Sequence, residues 1–239
     1  MSQLVLETSG LTAFYGDFQA LFGINITLER GEIIGLVGAN GAGKTTLLRT
    51  VSGLLPAARN AVRFKGEPIG GRRAEQILRL GVAMVPEGRK LFASLSVQEN
   101  LTLGAYAGRP GGWDLAAIFK LFPILEERRR SPATKLSGGQ QQMVAIGRAL
   151  MSNPDVLLCD EVSLGLAPVV IADVYAAMPK IRQSGTSVIV VEQDIGQVLR
   201  VTDRLYCLCE GRVVLSGQSG ALTRDEIAHA YFGMTGTAA

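Results

Sequence analysis

The chain has 239 residues, 47% of them hydrophobic, ample for one large α/β domain or a core carrying an inserted subdomain. Its 24 lysines and arginines against 21 aspartates and glutamates give a net charge of +3 without a long basic block, which argues against a dedicated nucleic-acid binder. No apolar stretch approaches the roughly 18 to 20 residues that span a bilayer, and Met1-Ser2-Gln3-Leu4 lacks the basic-then-apolar start of a leader. The expected location is the cytoplasm, unless another protein recruits the chain elsewhere.

Residues Leu4 to Leu11 and Gly23 to Leu28 alternate apolar and polar, the period of half-buried strands. Between them lies Phe14-Tyr15-Gly16-Asp17. A tyrosine beside a turn offers a flat face on which a purine could stack, and by itself it reads equally as a packing residue. Glu32-Ile33-Ile34-Gly35-Leu36-Val37 reads as a short buried strand feeding Gly38-Ala39-Asn40-Gly41-Ala42-Gly43-Lys44-Thr45. The spacing is Gly-x-x-x-x-Gly-Lys-Ser/Thr, the phosphate-binding loop called Walker A. Its glycines let the backbone turn tightly and aim N–H groups at anionic oxygens. The helix that follows, through Thr46, Leu47 and Leu48, adds its positive end to the same point. Lys44 is placed to bridge β- and γ-phosphates and the Thr45 hydroxyl to ligate Mg²⁺. A nucleoside triphosphate is the expected ligand.

Beyond the loop, Ser52-Gly53-Leu54-Leu55-Pro56 breaks the chain, and Val62 to Lys65 gives a short strand closed by Gly66-Glu67-Pro68. Gly81 to Val85 reads as a buried strand leaving at Pro86 toward Glu87-Gly88-Arg89. From Leu91 to about Met151 the pattern turns helical, with a Gly/Pro-rich break at Gly108 to Gly112. The charge run Glu126 to Arg130 is expected to be a solvated helix face. This stretch predicts a helical subdomain inserted into the α/β core. Within it, Leu136-Ser137-Gly138-Gly139-Gln140 precedes a helix with Met143, Ile146 and Leu150 on one face. Ser137 is a good N-cap, and Gly138 and Gly139 leave the first helical N–H groups uncovered, a second anion-binding helix start.

Val156-Leu157-Leu158-Cys159 leads into Asp160 and Glu161, where a strand-end aspartate would help hold Mg²⁺ and its neighbour would orient and deprotonate water. Thr186 to Val191 is a β-branched central strand ending in Glu192-Gln193-Asp194. Arg204 to Cys209 and Arg212 to Leu215 flank a hairpin turn at Glu210-Gly211, and a short helix near Asp225 to Tyr231 closes the pattern. Strands alternating with helices imply a mostly parallel sheet with antiparallel pieces at each end. Cys159, Cys207 and Cys209 lie in apolar runs without metal-site spacing and read as reduced core thiols.

Walker A, Leu-Ser-Gly-Gly-Gln at Leu136 to Gln140 and an apolar strand ending in Asp160-Glu161 together resemble the ATP-binding cassette (ABC) ATPases, from about Leu4 to Phe232. The resemblance implies a P-loop (RecA-like) α/β core with an antiparallel β subdomain and an inserted α-helical subdomain, with core segments 1–87 and 152–239 and helices in 88–151. It implies ATP and Mg²⁺, and a head-to-tail dimer in which Lys44 of one subunit and the partner's signature segment, matching Ser137, Gly138, Gly139 and Gln140 here, enclose each ATP. By the same token Tyr15 matches the adenine-stacking aromatic, Asn40 to Thr46 the phosphate cradle, and Asp160 the Mg²⁺ carboxylate. Glu161 matches the general base, and Ser163 to Leu166 the inter-subunit loop.

Three positions depart from the family pattern. Glu87 stands where Gln is usual, Gln193 where the switch His is usual, and Val162 where Pro is common. Glu87 keeps an oxygen for Mg²⁺ or water. Gln193 keeps a donor for a γ-phosphate but cannot titrate near neutral pH. Val85 to Arg89, Gly165-Leu166-Ala167-Pro168 and Val191-Glu192-Gln193 resemble the smaller, LivF-like ATP-binding subunit of branched-chain amino acid importers, whose relatives serve urea and short-chain amide uptake. That likeness implies membrane permease subunits, a second cassette chain or a second copy of this one, and indirectly a periplasmic or lipid-anchored solute-binding protein. It implies no nucleic-acid partner, and a peripheral position on the inner face of the cell membrane. A nucleotide-gated module with negligible hydrolysis is the alternative that Gln193 and Val162 raise.

Overall fold

The computed structural model describes residues 3–231. Met1, Ser2 and Phe232, at the limits of the sequence reading, lie outside the described residues. The chain opens with the hairpin β1 (Leu4–Tyr15) and β2 (Phe18–Glu29), then β3 (Ile33–Val37) and α1 (Lys44–Val51). Next come β4 (Val62–Phe64), β5 (Glu67–Pro68), α2 (Ala74–Leu80) and β6 (Val82–Val85), followed by α3 (Val97–Gly104), α4 (Leu115–Leu121), α5 (Pro123–Glu127) and α6 (Gly138–Leu150). The chain continues through β7 (Val156–Asp160), α7 (Pro168–Gln183), β8 (Ser187–Val191), α8 (Ile195–Val201), β9 (Arg204–Cys209), β10 (Arg212–Gln218) and α9 (Arg224–Tyr231).

Two sheets result. One is antiparallel in the order β2-β1-β4-β5, and the other runs β10-β9-β3-β8-β7-β6, parallel except where β10 returns along β9. The central strands β3, β7 and β8 are buried at every position, as expected of a sheet covered on both faces. Alternate residues then serve two cores. Ile34, Leu36, Leu158, Ile189 and Val191 join α1 and the antiparallel sheet, through Leu47, Leu48, Leu11, Leu21 and Ile24. Ile33, Leu157, Cys159, Val188 and Val190 point the other way, onto α3, α4, α6 and α7. Slipping any of these strands by one residue would exchange the two sets, so the register is strongly specified.

Four local features differ from expectation. β1 and β2 run on to Tyr15 and from Phe18, so Tyr15 stands at the tip of a tight hairpin rather than between two separate short strands. The helix α2 is a short seven-residue element that the sequence reading did not single out, with Ile77 its buried residue and Leu78 and Leu80 partly buried. The run Glu126 to Arg130 is exposed, but α5 ends at Glu127, so its three arginines sit in the turn beyond the helix. Finally, α6 packs on β6 and α7 as well as on α3 and α5, which joins the helices to the sheet. Among the described residues no helix is long and apolar enough to cross a membrane.

Candidate functional site

Three strands deliver the chemistry to one end of the parallel sheet. β3 runs into the phosphate loop, β7 ends at Asp160 with Glu161 beyond it, and β8 is followed by Glu192 and Gln193. Parallel strands with right-handed crossovers leave their carboxyl ends together, and ligands bind in the crevice just outside those ends.

The loop is shaped by close approach. Gly38 has φ 152°, and a Cβ there would collide with the Leu208 carbonyl. Gly43, with φ 102°, caps α1 in the left-handed region, and a Cβ would come within 2.8 Å of Leu21. The Glu210-Gly211 hairpin backs the loop: Gly211 N–H donates to Ala42 O (3.0 Å) while Gly211 O accepts from Phe22 N–H (2.9 Å). Both turn residues have positive φ, the geometry of a type I′ hairpin. The amides of Gly41, Gly43, Lys44 and Thr45 find no acceptor among the described residues. Four convergent donors at a helix start fit a phosphate chain.

Lys44 is 4% exposed, and its ammonium folds back on Gly38 O (2.7 Å) and Ala39 O (3.2 Å), with Glu161 Oε1 at 3.8 Å. Burial pulls its pKa below the ordinary lysine value, against the opposing pull of Glu161 and Asp160. The Thr45 hydroxyl donates to Asp160 Oδ1 (3.0 Å). Burial pushes Asp160 from 3.8 up to about 6; the Thr45 hydrogen bond and Arg49 oppose this, while Glu161 and Glu87 add to it. Among the described residues no cluster of three or more His, Cys, Asp or Glu side chains could hold a metal alone, so one carboxylate beside one hydroxyl fits a hard divalent cation only if phosphate and water supply its remaining oxygens. Glu87 is exposed and lines the same cleft as Asp160 and Arg49.

Glu161 has φ 46°, a left-handed backbone held by its own N–H donating to Val191 O (3.0 Å). Strained backbone of this kind persists where the surroundings over-determine it. Its Oε2 accepts from the Gln193 amide at 2.9 Å. Gln193 therefore clasps Glu161 directly, a contact the sequence did not reveal. Val162 is fully buried in the apolar cluster on the helical face of the sheet, which accounts physically for a branched apolar residue at this position. Tyr15 is 43% exposed at its hairpin tip, and its hydroxyl lies 3.4 Å from Thr46 Oγ1, leaving a ring face open beside the loop.

The residue that sequence reasoning missed is Glu192. It is 2% exposed and accepts from Ser163 N–H (3.0 Å), the Ser163 hydroxyl (2.6 Å) and the Tyr175 hydroxyl (2.8 Å). Burial raises its pKa, while those donors act against the shift. With Val191 and Gln193, it fastens the end of β8 to residues 161–163 at three successive positions.

The signature segment stands apart. Ser137 caps α6 by accepting from Gln140 N–H (3.3 Å), and Gln140 Oε1 accepts from Ser137 N–H (3.1 Å). Gly139 is packed so closely on Val170 that a Cβ would overlap it. No hydrogen bond or ion pair among the described residues joins 137–140 to the phosphate loop, and Ser137 is exposed.

Comparison with known proteins settles the lineage. The ABC transporter family model matches residues 21–163. The chain belongs to the ABC transporter family. It is 42% identical over 232 residues to the high-affinity branched-chain amino acid transport ATP-binding protein BraG of Pseudomonas aeruginosa, covering 96% of this chain and 100% of BraG. It is 34% identical to the methionine import ATP-binding protein MetN of Mesorhizobium japonicum, covering 94% of this chain and 63% of MetN. Among solved structures, an ATP-binding cassette of an ABC transporter in its ADP conformation superposes with a TM-score of 0.78 at 28% identity, covering 95% of this chain and 94% of that one. The ABC subunit described here is thus an ATP-binding, ATP-hydrolysing cassette with a P-loop core and helical subdomain.

Proposed function

We propose that this cassette powers uptake of branched-chain amino acids through an ABC importer, from the inner face of the cell membrane. The full-length likeness to BraG carries this reading, and urea or a short-chain amide is the alternative cargo. Its partners would be membrane permeases, a second cassette chain or a second copy, and indirectly a solute-binding protein.

In this reading the amides from Asn40 to Thr46 cradle the triphosphate, Lys44 leaves Gly38 O for the β- and γ-phosphates, and Tyr15 stacks on adenine. Bound Mg²⁺, held by Thr45 and Asp160 with Glu87 nearby, would neutralise charge on the β- and γ-oxygens. Glu161 accepts the proton of the attacking water, aimed by the Gln193 amide at its Oε2. The partner's signature residues would complete the shell, consistent with an exposed Ser137 that faces no phosphate of its own subunit. Segments 1–87 and 152–239 would make up the core and 88–151 the helical subdomain, with α6 as the seam. The permease would dock beside residues 87–100, where Leu95, Leu103, Ala105 and Tyr106 line an open groove and Tyr106 is 79% exposed. Such a groove suits the apolar face of a short helix.

The test is purification of the native chain from gently solubilised membranes. Permeases and a second cassette should accompany it, and a chain recovered alone would sink the importer reading. Separately, Glu161→Gln should still bind ATP but turn over at least roughly a hundredfold slower, as loss of a general base requires. Equal turnover would remove Glu161 from that role.

A further inference from the structure

At the opposite end of the parallel sheet from the phosphate loop lies a pocket of about 530 Å³, within the size range of small-molecule sites. It opens beneath the starts of β7 and β8, lined by Pro154, Asp155 and Thr186 on that side. Five-residue strands separate it from Asp160 and Val191, roughly 15 Å at about 3.3 Å per residue. Nothing in the ATPase chemistry uses it.

The pocket is built rather than incidental. Its far wall is Arg109 to Trp113, most of which lies in the break that the sequence marked at Gly108 to Gly112 and no step of the ATPase reading absorbs. Asn153, itself at φ 50°, accepts from Trp113 N–H (2.8 Å) and donates to Arg109 O and Trp113 O (both 3.2 Å). The Arg109 guanidinium ties the segment to Asn153 O (3.1 Å), Leu80 O (2.6 Å) and Asp155 Oδ2 (2.6 Å). These bonds fix the wall before any ligand arrives, so binding would not have to order it.

Its chemistry is one-sided. Asp155 is the single carboxylate in the lining, and it is already paired with Arg109 and, at 2.8 Å, with Lys65. Arg30, Lys120 and Lys180 also line the pocket, and their side chains form no ion pair among the described residues. Trp113, half-buried against the core, contributes an indole, with Pro110, Leu121 and Pro154 as further apolar wall. Surplus positive charge around an aromatic, proline-lined cleft suits a flat apolar body bearing a negative group. We propose that this pocket is a second ligand site, distinct from the ATP site, for a small aromatic anion.

Trp113 is the only tryptophan in the chain, so its emission reports on this pocket. The full-length protein would be titrated with phenyl phosphate, and in parallel with inorganic phosphate and benzyl alcohol. Phenyl phosphate should change Trp113 emission saturably and more tightly than either half-probe. The double variant Lys120→Glu/Lys180→Glu, whose positions are exposed and remote from the phosphate loop, should weaken phenyl phosphate about tenfold or more while leaving ATP turnover unchanged. A change that never saturates, equal response to benzyl alcohol, or an affinity unmoved by the charge reversal would overturn the proposal. Calorimetric titration of Trp113→Phe keeps the test open if emission proves silent: heat of binding should persist there, and in the double variant it should show the same tenfold or greater weakening.

Discussion

Asp160 carries the most consequential ionisation in the site. Its carboxyl is raised from 3.8 to about 6, chiefly by burial. A folded-state pKa above the unfolded value means that the native protein holds the proton longer than the unfolded chain. Its contribution to stability is therefore fully present below the unfolded value and is lost as pH rises from 3.8 to about 6. In metal- and nucleotide-free protein, thermal melts across that window should show falling stability. Asp160→Asn, which cannot titrate, should flatten part of the slope, with Glu192 supplying a further part in the same direction. Identical slopes in the two proteins would refute the assignment. Asp160 and Glu161 were legible in the sequence because four apolar residues followed by two acids is a strand that ends in a cleft. Glu192 was not: an acid one residue past a β-branched strand looks solvated, and only the fold brings Ser163 and Tyr175 onto it.

At the level of elements, the strand end 191–193 and the segment 161–163 behave as one unit, because a carbonyl, a carboxylate and an amide on one side meet partners on the other. Glu192→Ala would leave the buried Tyr175 hydroxyl and the half-buried Ser163 N–H without an acceptor, which costs on the order of 1–3 kcal/mol per group when fully buried. Urea denaturation should show a loss of about 2–4 kcal/mol, with Glu192→Gln losing less because an acceptor oxygen remains; unchanged midpoints would show the cluster to be dispensable. Helix packing supplies a second case. At the α3–α6 contact, a Cβ on Gly104 would run into the Arg148 carbonyl, and Gly147 sits against Leu101 and Ile118. Gly104→Ala must push the two helices apart, at about 1–3 kcal/mol for an overpacked core, while ATP binding persists. No loss of stability would mean that the helices part freely. The presence of α6 followed from periodicity and α3 fell within a stretch read only as helical, yet their distance of approach depends on which glycine faces which backbone, and that is absent from any one-dimensional pattern. Length hid α2: Ala74, Ile77 and Leu78 have helical spacing, but seven residues are too short a run for that period to stand out.

For the molecule as a whole, the phosphate loop and the signature helix are both preformed yet do not meet within one chain. In the proposed reading, the site of such a cassette would be completed by a second one facing it. Ser137→Arg places a long cation where the partner's phosphate would lie, so ATP binding should survive while turnover falls by at least roughly tenfold. Sedimentation should also lose the ATP-dependent doubling of mass expected of Glu161→Gln; normal turnover in Ser137→Arg would exclude the paired arrangement. The order of the motifs suggested the paired arrangement proposed above, whereas the Trp113 pocket needed the fold to bring segments 30, 109–121, 153–155 and 180–186 together.

The backing of the phosphate loop has a mechanical corollary. Gly211 joins the loop, through Ala42, to strand β2, through Phe22, and a side chain at Gly211 would strike the Ala20 carbonyl. Two sheets thus back the phosphate loop from behind, like the jaws of a vice. If that grip holds the loop stiff, any stroke driven by ATP would have to travel through parts outside it, such as the helices α3 to α5 and the exposed tip at Leu164 and Gly165, with the loop as fulcrum.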